Sequence, residues 1–135
     1  MSPQDPLEYL SSLQGMGMRL DLGSVKRLLR RLGNPQDRFR SVIVGGTNGK
    51  GSIAALIASV LSSGGYRVGL YTSPHLVDVR ERIRVGGRLI PGGDLRSLAG
   101  EVRRVVREDV TYFEFTTAIA FLHFFLAGVD VAVLE

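Results

Sequence analysis

A parallel α/β sheet flanked by helices is the fold class this sequence predicts, on three observations. Short runs of mostly apolar residues at 41–44, 66–72 and 129–135 have the length and make-up of buried strands. Helical patterns separate them, in the alternation that right-handed crossovers between parallel strands require. The first strand passes straight into a glycine-rich turn, and that turn into an apolar helix.

The elements follow in order. A short helix is expected over 6–13, with Asp5 as N-cap and Pro6 in the first position. Gly15-Met-Gly-Met18 breaks it. Leu22, Val25, Leu28, Leu29 and Leu32 then recur at helical spacing, and Gly33 with Pro35 ends that helix. The stripe Ile53, Leu56, Ile57, Val60 and Leu61 predicts a helix after the first strand, stopped by Gly64-Gly65. Residues 82–85 and 88–90, joined across Gly86-Gly87, read as a hairpin. Asp94 is expected to cap a helix running to about residue 109. Residues 114–126 form a helix apolar on most sides, hence buried. Three strands leave an uncovered apolar edge, so the expectation is an incomplete sheet, the leading part of a longer protein.

Composition narrows the classes. A chain of 135 residues with 44% hydrophobic and 22% charged residues suits one domain with a real core. Cysteine is absent, which removes disulfides and thiolate metal sites. The start lacks the basic and apolar regions of a secretory signal. The most apolar segment, 118–127, is interrupted by His123 and is too short for a membrane span. A cytoplasmic protein without membrane contact is expected. Net charge is +4 and the pI about 10.0. The arginines are scattered over helix faces rather than gathered in one tract, which argues against a nucleic-acid partner.

The chemistry gathers around Ser41-Val-Ile-Val-Gly-Gly-Thr-Asn-Gly-Lys-Gly-Ser52. A strand, a glycine-rich turn and a helix start make a phosphate cradle. Turn N–H groups point inward, the helix N-terminus adds partial positive charge, and Lys50 adds a full one. The expected nucleotide-binding residues are Gly46, Thr47, Asn48, Gly49, Lys50, Gly51 and Ser52, with Lys50 in the catalytic role. The match to the general phosphate-loop pattern G-x-x-x-x-G-K-[ST] is imperfect. Val44 stands where its first glycine belongs, and Gly51 where a hydroxyl would hold Mg²⁺. The fold is thus expected to be P-loop NTPase-like, with ATP as ligand and Mg²⁺ drawing on other oxygens. Ligands in open parallel sheets collect at the carboxyl ends of strands. Ser73, after the second strand, and Glu135, ending the third, lie there and are the candidate metal ligands.

Gly46-Thr-Asn-Gly-Lys-Gly-Ser52 resembles the phosphate loop of the folylpolyglutamate synthase/dihydrofolate synthase family, relatives of the Mur ligases. Glycine after the lysine is the folate enzymes' habit; Mur ligases usually carry Thr or Ser. Tyr71-Thr-Ser-Pro-His-Leu76 with Glu81-Arg-Ile83 resembles a second family signature, and Thr111-Tyr-Phe-Glu-Phe115 a third. Val129-Asp-Val-Ala-Val-Leu-Glu135 resembles the strand that delivers a metal-binding glutamate, and Leu28-Leu-Arg-Arg-Leu-Gly-Asn-Pro-Gln36 the leader helix.

The resemblance implies an ATP-dependent ligase that joins L-glutamate to dihydropteroate or folate through an acyl phosphate. It implies Ser73 and Glu135 as metal ligands, together with a histidine beyond this chain. Pterin contacts are implied at Thr111, Tyr112, Phe113 and Glu114, where the rings would face a flat heterocycle and Glu114 would bond its nitrogens. Others are implied at Arg19, Leu20 and Asp21, although Asp21 stands where glycine is common. Residues 1–135 would then be an incomplete ATP-binding domain of the Mur ligase central type. The glutamate-binding domain would be absent from this chain, the piece alone inactive, and the full-length enzyme a monomer. Two rivals remain: a Mur-type amino-acid ligase, which Gly51 and Ser73-Pro-His argue against, and a non-catalytic basic module binding nucleotide or nucleic acid. His75 is read as a loop residue and His123 as a core histidine.

Overall fold

The computed structural model describes residues 5–14, 23–45, 49–75, 77–107 and 109–135, with nothing drawn from the Lys50 side chain. Helices α1 (Pro6–Ser12) and α2 (Gly23–Arg31) lead into strand β1 (Arg40–Ile43). Asp5 caps α1 as expected, its carboxylate accepting from Leu7 N at 2.8 Å. Helix α3 (Lys50–Ser63) connects to β2 (Val68–Tyr71), and the hairpin β3 (Ile83–Val85) and β4 (Arg88–Leu89) follows. Helices α4 (Gly92–Val105) and α5 (Tyr112–Leu126) then lead to β5 (Val131–Leu134).

The sheet order is β1-β5-β2-β3-β4. Strands β1, β5 and β2 are parallel, with Ala132 opposite both Ser41 and Gly69. The predicted parallel sheet is present at this end, and the predicted hairpin extends it antiparallel. The last strand in sequence, β5, lies between β1 and β2, in the middle of the three parallel strands. Its apolar run is buried, with Ala132 and Val133 wholly inaccessible, as a strand covered on both faces requires.

Two expectations are corrected. β1 was expected to be buried, yet Val42 and Ile43 are 36% and 79% exposed. β1 lies at the sheet edge with β5 as its strand neighbour among the described residues, and α3 leans on β2 and β5 instead. The α3 stripe is also only half used. Ala54 is buried, with Ile57 and Leu61 against Val44, Val68 and Val133, whereas Ile53, Leu56 and Val60 stay exposed. Helix α3 meets the sheet with Ala54, Ile57, Ala58 and Leu61.

The opposite face carries the larger core. Helix α5, apolar on most sides, packs there among α1, α2 and α4. A glycine is required at position 69, because a β-carbon there would come within 2.7 Å of the Phe124 ring. The α4 boundary also differs from expectation. Pro91 holds the N-cap position, Asp94 lies in the first turn, and the helix stops at Val105. Several scattered arginines cover helix faces, Arg96 pairing with Asp5 and Arg103 lying 4.3 Å over the Tyr9 ring. No helix among the described residues is long and apolar enough to cross a membrane.

Candidate active site

The site is built where the parallel strands end. Val44 N donates to Leu134 O at 2.7 Å, so the chain leaves β1 beside the end of β5. Gly45 follows. The predicted nucleotide-binding residues Gly46, Thr47 and Asn48 lie outside the described residues. Gly49 caps α3 with φ +74°, a left-handed conformation that favours glycine. Its carbonyl accepts the first helical bond, from Ile53 N at 3.0 Å. The N–H groups of Lys50, Gly51 and Ser52 precede that bond, in the first turn where donors lack intrahelical acceptors. Lys50 is the first residue of the helix.

A cavity of about 890 Å³ opens between α3, β2 and β3. Gly51 lines it from α3, Thr72, Ser73 and Pro74 from the end of β2, Arg84 from β3 and Glu135 from the end of β5. The backbone holds these ends together. Glu135 N donates to Tyr71 O at 2.9 Å, and Thr72 N to Arg82 O at 3.0 Å. The Ser73–Pro74 peptide bond is cis. A β-carbon placed on Gly51 would lie 3.5 Å from Glu135 Oε2, so the glycine brings the helix start against that carboxylate. Gly51, Ser73 and Glu135, distant in sequence, thus share one cavity.

The donor set has the chemistry of a hard-cation site. The Ser73 and Thr72 hydroxyls and the Glu135 carboxylate offer oxygen alone, and no group of three or more His, Cys, Asp or Glu side chains gathers among the described residues. Mg²⁺ suits such a place, since it takes one or two protein oxygens and keeps several waters.

The second predicted cluster is only partly open. Thr111 and Glu114 form a reciprocal cap at the start of α5. Glu114 N donates to Thr111 Oγ1 at 3.1 Å, and Thr111 N to Glu114 Oε1 at 2.8 Å. The Ser24 hydroxyl donates to Glu114 Oε2, tying α2 to α5. Both residues are 4% exposed, and both Glu114 oxygens have partners inside the fold. Within this structure Glu114 has a capping role and ties α2 to α5. The signal was in the sequence: T-x-x-E ahead of an apolar run is a capping box. Tyr112 is half-buried, whereas Phe113 is 41% exposed with its ring centroid 6.3 Å from that of Tyr71. Arg19, Leu20 and Asp21 lie outside the described residues.

Two neighbours of this cluster were not assigned a role from sequence. Arg82 lies 5.1 Å over the Tyr112 ring and donates from Nε to His75 Nδ1 at 2.8 Å. The His75 ring is 6.3 Å from that of Tyr112. Burial raises the Tyr112 hydroxyl above its ordinary pKa, opposed by the Arg82 charge. Burial likewise raises Tyr71, whose hydroxyl is 3.1 Å from Thr117 Oγ1. The Glu81-Arg-Ile83 signature includes Arg82 but gives it no role; tertiary contact places it over Tyr112. His123 is half-buried rather than a core residue.

No family model matches the chain. Curated relatives do, along its whole length. It is 43% identical over 141 residues to a probable bifunctional folylpolyglutamate synthase/dihydropteroate synthase of Haloferax volcanii, covering 100% of this chain and 17% of the relative. It is 38% identical over 143 residues to a folylpolyglutamate synthase of Lacticaseibacillus casei, covering 100% of this chain and 33% of that one. A crystal structure of folylpolyglutamate synthase from Thermotoga maritima matches with a TM-score of 0.88 at 39% identity, over 96% of this chain and 32% of that one. The Mycobacterium tuberculosis folylpolyglutamate synthase complexed with ADP matches with a TM-score of 0.88 at 32% identity, over 97% of this chain and 32% of that one. The chain spans a third or less of the length of these relatives.

Proposed function

We propose, for a chain homologous along its whole length to part of the folylpolyglutamate synthase/dihydrofolate synthase family, that it is the nucleotide-binding portion of an ATP-dependent acid–amino-acid ligase. The observation that carries the reading is the meeting of Gly51, Ser73 and Glu135 in one cavity at the start of α3. A structural relative binds ADP, in keeping with a nucleotide at this place.

The reaction is glutamate addition to dihydropteroate or folate. The substrate carboxylate attacks the γ-phosphorus of ATP, and ADP leaves. The glutamate amine attacks the resulting acyl phosphate, and inorganic phosphate leaves. Lys50 and the first-turn N–H groups of α3 stabilise charge on the β- and γ-phosphate oxygens. Ser73 and Glu135 would hold Mg²⁺, which when bound neutralises phosphate charge. Tyr112 and Phe113 offer ring faces to the pterin, with Arg82 orienting Tyr112. Arg19, Leu20 and Asp21 complete the pterin contacts. Thr111 and Glu114 serve it by holding the start of α5. Glutamate binds a domain outside this chain, and the whole enzyme is a cytoplasmic monomer.

The test is incubation of the full-length protein with ATP, Mg²⁺, labelled glutamate and either dihydropteroate or tetrahydrofolate. Amide product with one ADP released per bond is expected. Absence of product with both acceptors, from protein that binds ADP, would refute the ligase reading and favour a non-catalytic nucleotide-binding module.

A further inference from the structure

The sheet register separates two faces. Gly69 and Tyr71 face α5, through Phe124 and Thr117, whereas Val68 and Leu70 pack with α3. Val85 pairs with Gly69 and Arg84 with Leu70. The nucleotide cavity holds Leu70 and Arg84 and belongs to the α3 face. A second cavity, of about 440 Å³, holds Val85 and His123 and belongs to the α5 face. It opens at the amino end of β2, away from the phosphate loop, between β4, the start of α4 and the end of α5.

Its charged lining is Arg67, Arg88 and Asp94, with His123 beside them. Among the described residues the guanidinium groups of Arg67 and Arg88 have no ion-pair or hydrogen-bond partner; Arg67 is engaged through its backbone, with Asp130 and Val131, and Arg88 through the β3–β4 pairing. Two unpaired cations against one carboxylate favour an anion. The other wall is apolar, with Leu89, Leu98 and Leu126. A free inorganic anion would leave that wall in water, while an organic anion covers it. Burial holds the His123 imidazole below its usual pKa; Arg67 pushes the same way and Asp94 opposes. The ring is therefore mainly neutral near pH 7 and able to donate one hydrogen bond.

We propose that this second cavity binds a small organic monoanion, its carboxylate met by Arg67 and Arg88 and its apolar body laid on Leu89, Leu98 and Leu126. The site lies on the face opposite the nucleotide and is separate from the ligase chemistry.

The probe is hexanoate, with hexanol as its uncharged counterpart. The full-length protein carries ¹³C-labelled histidine, and the His123 Cε1–H resonance is assigned with His123→Gln. Saturable movement of that resonance by hexanoate is expected, with a raised His123 pKa, because a nearby anion favours the imidazolium. The Arg67→Gln/Arg88→Gln double variant should bind hexanoate at least about tenfold more weakly, the loss expected of charge-assisted hydrogen bonds. Its ADP affinity should be unchanged, which verifies its fold and separates this test from that of the ligase. Hexanoate that leaves His123 unmoved overturns the proposal. So does equal binding by the double variant, by hexanol, or by inorganic phosphate.

Discussion

A β-carbon on Gly51 would stand 3.5 Å from Glu135 Oε2, although 84 positions separate the two residues in sequence. That is ordinary van der Waals contact, so alanine fits at position 51 without strain, and a longer side chain enters the space between helix and carboxylate. Gly51→Leu is expected to lower turnover of the full-length enzyme by about 10²-fold, in line with the sensitivity of reactions to small misplacements. Its melting temperature should stay near wild type, since Gly51 is exposed at the helix start. Steady-state ADP release together with a thermal melt checks both halves. Wild-type turnover in Gly51→Leu would show that the cavity does not take the nucleotide.

Lys50→Ala should reduce turnover by about 10²-fold or more, the range for removal of one group that stabilises transition-state charge. Lys50 begins α3 at the helix terminus, so stability should change little. Ligation assays with the full-length protein decide it, and activity within a few-fold of wild type would remove Lys50 from the chemistry.

Ser73→Ala and Glu135→Gln should each raise the Mg²⁺ concentration needed for half-maximal rate. Both side chains line the cavity with oxygen donors, and Gly51 supplies no hydroxyl of its own. A magnesium titration of the rate is the measurement. Unchanged dependence in both variants would place the metal elsewhere.

Thr111→Ala separates structure from binding at the start of α5. Loss of the cap hydroxyl that accepts from Glu114 N should cost about 1 kcal/mol of stability. Denaturant unfolding should record that loss while the pterin-substrate KM moves less than threefold. A large KM increase with unchanged stability would return Thr111 to direct substrate contact.

Tyr71 sets an alkaline limit on the fold. Burial raises its pKa above the ordinary 10.0, so the folded state keeps a proton that the unfolded state gives up. The contribution is complete below about pH 10, the ordinary tyrosine value, and is lost as pH climbs toward the folded pKa. Tyr71→Phe removes this titration and should flatten the fall of stability above pH 10. It also strips the hydroxyl partner from Thr117, so stability at pH 7 should drop. An unchanged alkaline slope would show that Tyr71 does not limit the fold.

The sequence alone established the alternation of strand and helix, the hairpin and the cap at Asp5, because each is decided by local chemistry. Side-chain period, cap hydrogen bonds and glycine freedom act over a few residues and leave their marks in order along the chain. It also placed Ser73 and Glu135 at strand ends, where an open sheet collects its ligands. Tertiary structure decided what distance in sequence hides. The insertion of β5 between β1 and β2 leaves β1 at the edge and its Ile43 exposed, since burial depends on the neighbours a strand acquires. The apolar stripe of α3 splits into Ile57 and Leu61, packed against the sheet, and a bare Leu56, because only one face of the helix meets β2 and β5. Glu114 was expected to face a heterocycle, and only the fold shows Ser24, 90 positions away, donating to its buried carboxylate. Arg82 acquired its place over Tyr112 in the same way. Local rules specify the elements; which faces meet is a property of the packed whole, where each buried polar group must find a partner across the fold.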